Sequence, residues 1–260
     1  VQLGTGHAVL AAEEALSELT GTVMILCGDT PLIRASMLSD LIKDHKKRSA
    51  NVTLVTTLLD NPTNYGRIIS DTSGNIQAIV EHKDANSEEL LVKEINAGIY
   101  CVDKEYLFTT LKKVGTDNSQ GEVYLTDIVK MAVEDGLTVK TFIAQNPIDV
   151  LGVNSRLELS QAQTELQVRR NELLMAEGVS MINPETTRIS PDSNIGPDTI
   201  IEPCVHVTDR THIGNGSLIE QGTVLRHCTI EDGAKVGAHS YLVDITVTPH
   251  ETIPPHTTRL

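Results

Sequence analysis

The sequence has no tryptophan and only two phenylalanines in 260 residues. Whatever core it builds must therefore be aliphatic, and a hydrophobic fraction of 40% is enough to build one. Positive charge is scarce: 21 Lys and Arg stand against 35 Asp and Glu, for a net charge of −14. That argues against nucleic acid or an anionic membrane as partner, since both need a basic face. It leaves nucleotides open, because a divalent cation can bridge phosphates to carboxylates. The four cysteines, Cys27, Cys101, Cys204 and Cys228, are scattered and form no C-x-x-C pair. Reduced thiols fit that pattern better than a disulfide framework or a zinc site. No apolar run reaches the length of a membrane span and no signal-peptide pattern opens the chain, so the expectation is a cytoplasmic protein.

Residues 1–154 alternate helix-like and strand-like segments. AVLAAEEALSEL (8–19), MLSDLIKDHKKR (37–48) and VYLTDIVKMAVEDG (123–136) read as helices. TVMILCGDTPLI (22–33, stopping at Gly28-Asp29), NVTLVTTLL (51–59), IQAIVEHKD (76–84), NAGIYCVD (96–103) and VKTFIA (139–144) read as strands. The alternation predicts an α/β fold with a largely parallel sheet, whose ligands sit beyond the carboxyl ends of the strands. Residues 155–178 read as one long polar helix with few apolar positions, an arm connecting two bodies.

From there the periodicity changes. Ile189, Ile195, Ile201, Val207, Ile213, Ile219 and Leu225 recur every six residues; the register slips by one, and Ile230, Val236 and Leu242 resume it. Neither a helix nor a hairpin sheet produces a period of six. A β-solenoid does, with one aliphatic side chain inward per short strand, and residues 179–260 are assigned to it. The competing account of the same row is an irregular β-sandwich.

Several motifs carry possible chemistry, each with a plainer account beside it. LGTGHAV puts Gly4, Thr5 and Gly6 at a helix entry, where free N–H groups can hold a phosphate or a base edge, or where Thr5 is simply a cap. CGDTP puts Asp29 at the end of a buried strand, as a Mg²⁺ ligand or a turn aspartate. NYGRI, VEHKDA and EINAGIY place polar groups at strand ends, suited to a sugar or merely solvated. LGVNSRLEL places Asn154 either as the helix N-cap or as an amide oxygen completing a metal site with Asp29.

Taken together and in this order, LGTGHAV, CGDTPLI, YGRI, VEHKDA, EINAGIY, QGEVYLTDI and GVNSRLELS resemble the bacterial bifunctional N-acetylglucosamine-1-phosphate uridylyltransferase / glucosamine-1-phosphate N-acetyltransferase family. The likeness covers nearly the whole chain. It implies a Rossmann-like nucleotidyltransferase domain (1–154), a connecting helix (155–178) and a left-handed parallel β-helix (179–260) that trimerises. It implies transfer of a uridylyl group from UTP to N-acetylglucosamine 1-phosphate, giving UDP-N-acetylglucosamine and pyrophosphate, with Mg²⁺ as cofactor. By the same resemblance Gly4 and Thr5 would meet the uridine; Cys27, Gly28 and Asp29 would line the nucleotide. Asp29 and Asn154 would hold Mg²⁺, and Gly66, Glu81 and Asn96 would bind the sugar and its acetamido group.

Two family features find no counterpart: the L-A-A-G-x-G-T-R-M loop with its following Lys, and the later coils bearing the acetyltransferase site. The expectation is a central piece of the family, inactive or impaired by itself. Enzymes making ADP-, GDP- or dTDP-sugars and a non-catalytic trimeric scaffold are the competing readings.

Overall fold

The computed structural model describes residues 3–260. The chain divides into two compact units between Asn154 and Ser155.

The first unit contains helices α1 (Thr5–Leu10), α2 (Ala35–Lys47), α3 (Lys104–Leu111) and α4 (Asp127–Glu134). Its strands are β1 (Thr22–Ile25), β2 (Val52–Leu58), β3 (Arg67–Ser70), β4 (Ile76–Val80), β5 (Glu94–Asp103) and β6 (Val139–Ile143). They form one six-stranded sheet in the order β4-β3-β5-β2-β6, with β1 also paired to β5. Side chains alternate across it, as a pleated strand requires. Leu54, Tyr100 and Val102 pack on one face with Leu107, Leu111, Ile128 and Ala132 of α3 and α4. Val55, Ile99 and Cys101 pack on the other with Leu41 of α2. The core is aliphatic, as the composition requires.

The sheet is not largely parallel. Only β2 and β6 pair parallel; β5 is antiparallel to β1, β2 and β3, and β3 to β4. The reason lies in the connections. β1 and β2 run the same way on opposite sides of β5, joined by the crossover helix α2, so a βαβ unit is present with β5 inserted between its strands. Between β2 and β5 the chain makes only the β3–β4 hairpin and a short 3₁₀ turn, which returns it antiparallel.

One edge of β5 serves two strands. Its Tyr100–Asp103 end pairs with β1 and its Ile95 end with β3, leaving a gap in the ladder around Gly98. β1 therefore ends at Ile25, before the stop at Gly28-Asp29 that the sequence predicts, and it is only partly buried. Gly98 has φ +73°, a left-handed conformation that breaks the β ladder and favours glycine.

The second unit begins with helix α5 (Arg156–Ala176), whose N-cap is Ser155; the Ser155 side chain accepts from the Glu158 N–H. Besides following the first unit, α5 covers the first solenoid coil. Asn171, fully buried, donates to the carbonyls of Pro184 and Thr187 at 2.7 and 3.1 Å, and Arg170 donates to Ser193 O at 2.6 Å. Such a cover on the terminal repeat is what a stacked repeat array needs.

The rest is a parallel β-helix of about four turns, its short strands stacked in sheets of five, five and four. Ile189, Ile201, Val207, Ile213, Ile219, Leu225, Ile230, Val236 and Leu242 all point into one core, with Val247 and Ile253 continuing the row. The register slip has a structural cause. The corner after Val207 turns with two left-handed residues, Asp209 and Arg210, whereas those after Leu225 and Leu242 use one each, His227 and Asp244. Each shortened corner removes one residue, so the ladder repeats every 18 residues at His206↔Val224 and every 17 at Val224↔Tyr241.

Candidate functional site

The gap beside Gly98 is where chemically useful side chains gather in the first unit. As β1 leaves the sheet, Cys27 turns its thiol to the Gly98 carbonyl, Sγ 3.3 Å from the oxygen. Burial, and after it the charge of Asp29, pushes the Cys27 thiol up from its ordinary value, so it stays protonated and donates. Thr30 closes the turn by donating to Cys27 O at 2.8 Å. Gly28 sits at that turn with open space where a side chain would stand.

On the opposite side of the gap, Asn96 N–H donates to Gly66 O at 2.9 Å. The Asn96 side chain bridges back along its own strand: Oδ1 accepts from Gly98 N–H at 3.1 Å, and Nδ2 donates to Tyr100 Oη at 2.7 Å. Gly66 is buried, and a Cβ there would stand 3.4 Å from Glu81 Oε2. Glu81 also accepts from Thr126 Oγ1 at 3.1 Å. Burial pushes the Glu81 carboxyl up, the Thr126 hydrogen bond opposes this, and the charges of Asp84 and Asp127 add to it.

Asp29 and Asn154 converge on Gly152. The Val153 N–H donates to Asp29 O at 2.8 Å. A Cβ on Gly152 would lie 3.2 Å from Asp29 Oδ2 and 3.6 Å from Asn154 Nδ2. Because Ser155 takes the capping role, the plainer account of Asn154 as an N-cap does not hold. A cavity of about 340 Å³ is lined by Asn64, Glu81, His82, Lys83, Gln120 and Asn154, so Glu81 and Asn154 face one space. A larger depression of about 540 Å³, near Asp71, Gly136 and Lys140, takes in Glu94 of the EINAGIY run but none of the residues assigned to nucleotide, sugar or metal. The Asp71 carboxylate there is already occupied by Ser73, Asn75 and Gln77.

Gly4 and Thr5 have structural work. Gly4 has φ +105°, and a Cβ on it would lie 2.5 Å from Val123 O. Gly6 N–H donates to Val123 O, and Leu125 N–H to Thr5 Oγ1 at 3.0 Å. The L-G-T-G turn is thus fastened to residues 122–125, next to the Thr126 that holds Glu81. The expected helix over 8–19 is α1 alone, followed by a turn and a 3₁₀ segment at Glu14–Leu16.

The sequence reading did not single out Tyr100, Thr126, Gly152, Asn64 or Gln120. Thr126 and Gly152 lie inside the quoted runs QGEVYLTDI and LGVNSRLEL, but their roles depend on partners 45 and 123 positions away, Glu81 and Asp29. Among the described residues no three His, Cys, Asp or Glu side chains gather into a metal cluster.

A sequence profile described as nucleotidyl transferase matches residues 1–165. The chain belongs to the nucleotidyl transferase family. Among curated relatives, it is 51% identical over 253 residues to a protein of Desulfotalea psychrophila named bifunctional protein GlmU, covering 97% of this chain and 75% of that one. Proteins of the same name from Pelobacter propionicus and Exiguobacterium sibiricum are 44% and 42% identical, over 94% and 98% of this chain. This chain spans 53% and 56% of those two. The match runs through both units, so the nucleotidyl transferase domain and the β-helix belong to one family arrangement. Among the described residues no helix is long and apolar enough to cross a membrane.

Proposed function

We propose that the complete protein transfers a uridylyl group from UTP to N-acetylglucosamine 1-phosphate, giving UDP-N-acetylglucosamine and pyrophosphate. The observation that carries the reading is that Glu81 and Asn154 line one cavity of about 340 Å³, with Gly66 buried against Glu81. A cavity of that size suits a small ligand with a few convergent polar groups. Glu81 would accept from sugar hydroxyls, and Gly66 and Asn96 would meet the sugar and its acetamido group. Cys27, Gly28 and Asp29 would line the nucleotide, with Gly4 and Thr5 toward its base.

Asp29 and Asn154 would hold Mg²⁺. With the Asn154 amide turned to present its oxygen, one carboxylate and one amide oxygen beside a residue with no side chain would form a hard, open oxygen set, which suits Mg²⁺ together with water and substrate phosphates. Bound there, it supplies neutralisation of phosphate charge. In the reaction an oxygen of the sugar phosphate attacks the α-phosphorus of UTP, that new P–O bond forms, and the bond to pyrophosphate breaks. The residues of this chain orient the acceptor and keep its phosphate oxygen in line, the main lever in phosphoryl transfer. No proton relay is required of them.

The triphosphate loop of the resembled family is not among these 260 residues. We therefore expect them to bind the sugar phosphate while transferring uridylyl groups at background rate. The β-helix is compatible with assembly as a trimer, and a cytoplasmic location fits the reading. The test is titration of the chain with N-acetylglucosamine 1-phosphate. Glu81→Gln and Asn96→Ala should each weaken binding by about ten-fold, the usual loss for a charged or buried hydrogen bond. Unchanged affinity in both variants would move the sugar site elsewhere, and tighter binding of ADP-, GDP- or dTDP-linked sugars would favour the neighbouring nucleotide-sugar enzymes.

A further inference from the structure

Arg67 opens β3 and is 2% exposed, one of the largest fully buried side chains in the chain. A guanidinium is cationic and has only donors to offer. Burial lowers its pKa, and a guanidinium in a protein keeps its charge. Its Nη1 donates to the carbonyl of Tyr65. Its Nη2 lies 3.3 Å from Nδ1 of His82. Its Nε has no hydrogen-bond partner among the described residues, and no carboxylate pairs with the group there. A cation shielded from solvent without a counter-charge is costly, and a structural role alone would be filled as well by an apolar side chain.

The pairing with His82 decides a chemical question. Because Arg67 can only donate, Nδ1 of His82 must accept, so the ring hydrogen sits on Nε2. His82 lines the cavity shared by Glu81, Lys83 and Asn154. No protein acceptor for its Nε2 occurs among the described residues. Glu81, Lys83, Asn64 and Gln120 line the same cavity, with Lys83 Nζ already donating to Gln120 Oε1 at 2.7 Å, so a ligand oxygen entering that space is a fitting partner for the His82 Nε2–H.

We propose that Arg67 is a positioning residue that fixes His82 as the Nε2–H tautomer, a neutral donor aimed at an oxygen of the bound sugar phosphate. The inference rests on the sugar-phosphate reading of this cavity. Through Tyr65 O the same guanidinium also steadies the turn that presents Gly66, so one buried group sets two sides of the acceptor pocket.

The tautomer can be read without any ligand. Long-range ¹H–¹⁵N spectra of the 260-residue chain, with His82 assigned by its loss in His82→Gln, should give an unprotonated Nδ1 and a protonated Nε2. An Nδ1–H or doubly protonated ring at pH 7.5 overturns the proposal, whatever binds. Titration with N-acetylglucosamine 1-phosphate then tests the role. His82→Leu should bind about ten-fold more weakly, while His82→Gln, whose amide can donate from nearly the same place, should stay within about three-fold of the parent. Arg67→Met should show mixed tautomers in the spectra, a readout that a purely structural role would not move, with folding checked by circular dichroism. Equal affinity in His82→Leu and the parent overturns the donor role. A chain with the expected tautomer that binds no sugar phosphate overturns the functional reading and the ligand named here, and leaves the Arg67–His82 assignment standing.

Discussion

Cys27 occupies the space that a side chain on Gly98 would need: a Cβ on Gly98 would lie 2.7 Å from the Cys27 sulfur, which itself donates to Gly98 O. Two separate penalties therefore meet in Gly98→Ala. The left-handed φ of +73° costs an alanine about 1–2 kcal/mol, and the steric conflict about 1–3 kcal/mol more. Urea unfolding should record a loss of about 2–5 kcal/mol. Adding Cys27→Ala should restore the steric part and leave the backbone part. A double variant no better than Gly98→Ala would mean that the sulfur does not fill that space.

Gly152→Ala separates metal binding from stability. Gly152 has no left-handed φ, so alanine there should leave stability unchanged or raise it by up to about 1 kcal/mol. Its Cβ would stand 3.2 Å from Asp29 Oδ2, close enough that the carboxylate has to shift. Calorimetric titration should show Mg²⁺ binding weakened by about ten-fold or more, as is usual when groups around metal ligands are disturbed. Parent-like Mg²⁺ affinity would remove Asp29 from the metal site.

The buried His45 sets an acid limit on the first unit. Its Nδ1 lies 2.8 Å from Thr53 Oγ1, and burial lowers its pKa from 6.5, against the opposing charges of Asp103 and Asp44. The folded chain thus takes up this proton at lower pH than the unfolded chain. The contribution to stability is complete above the unfolded value and is lost as pH falls below it, with a slope of at most about 1.4 kcal/mol per pH unit for one proton. His45→Gln should flatten the stability profile between pH 7 and the onset of carboxylate titration. An unaltered slope would assign that region to other groups.

In the second unit, Ile213 sits fully buried between Ile195 and Ile230 of the neighbouring coils. Ile213→Ala should cost about 2–5 kcal/mol, the usual result of leaving a cavity in a packed core. His212→Ala, one residue away and outward, should stay within about 0.5 kcal/mol. Similar losses in the two would contradict the inward–outward alternation.

The solenoid was legible because each short strand carries its own evidence: an aliphatic residue about every six positions, with the slip after Leu225 visible as a missing residue. The sheet of the first unit was only partly legible. Segments such as NVTLVTTLL announce a strand but not its neighbour, and the insertion of β5 between β1 and β2 is a tertiary choice that no local pattern encodes. The same applies to the site. Glu81, Asn96 and Asp29 stand out by residue type at strand ends. Arg67, by contrast, reads locally as an ordinary strand-edge cation, and only its burial and its reach to His82 reveal what it holds. Asn154 was ambiguous until the neighbouring Ser155 took the cap.

We propose that these 260 residues carry the acceptor side of an N-acetylglucosamine-1-phosphate uridylyltransferase. The most direct measurement is equilibrium titration of the chain, with Mg²⁺ present, using N-acetylglucosamine 1-phosphate and glucose 1-phosphate side by side. The account predicts saturable binding of both, tighter by about ten-fold or more for the acetamido sugar, since a site built to meet a polar group discriminates against the ligand lacking it. Equal affinity for the two, or no saturable binding of either, would contradict it.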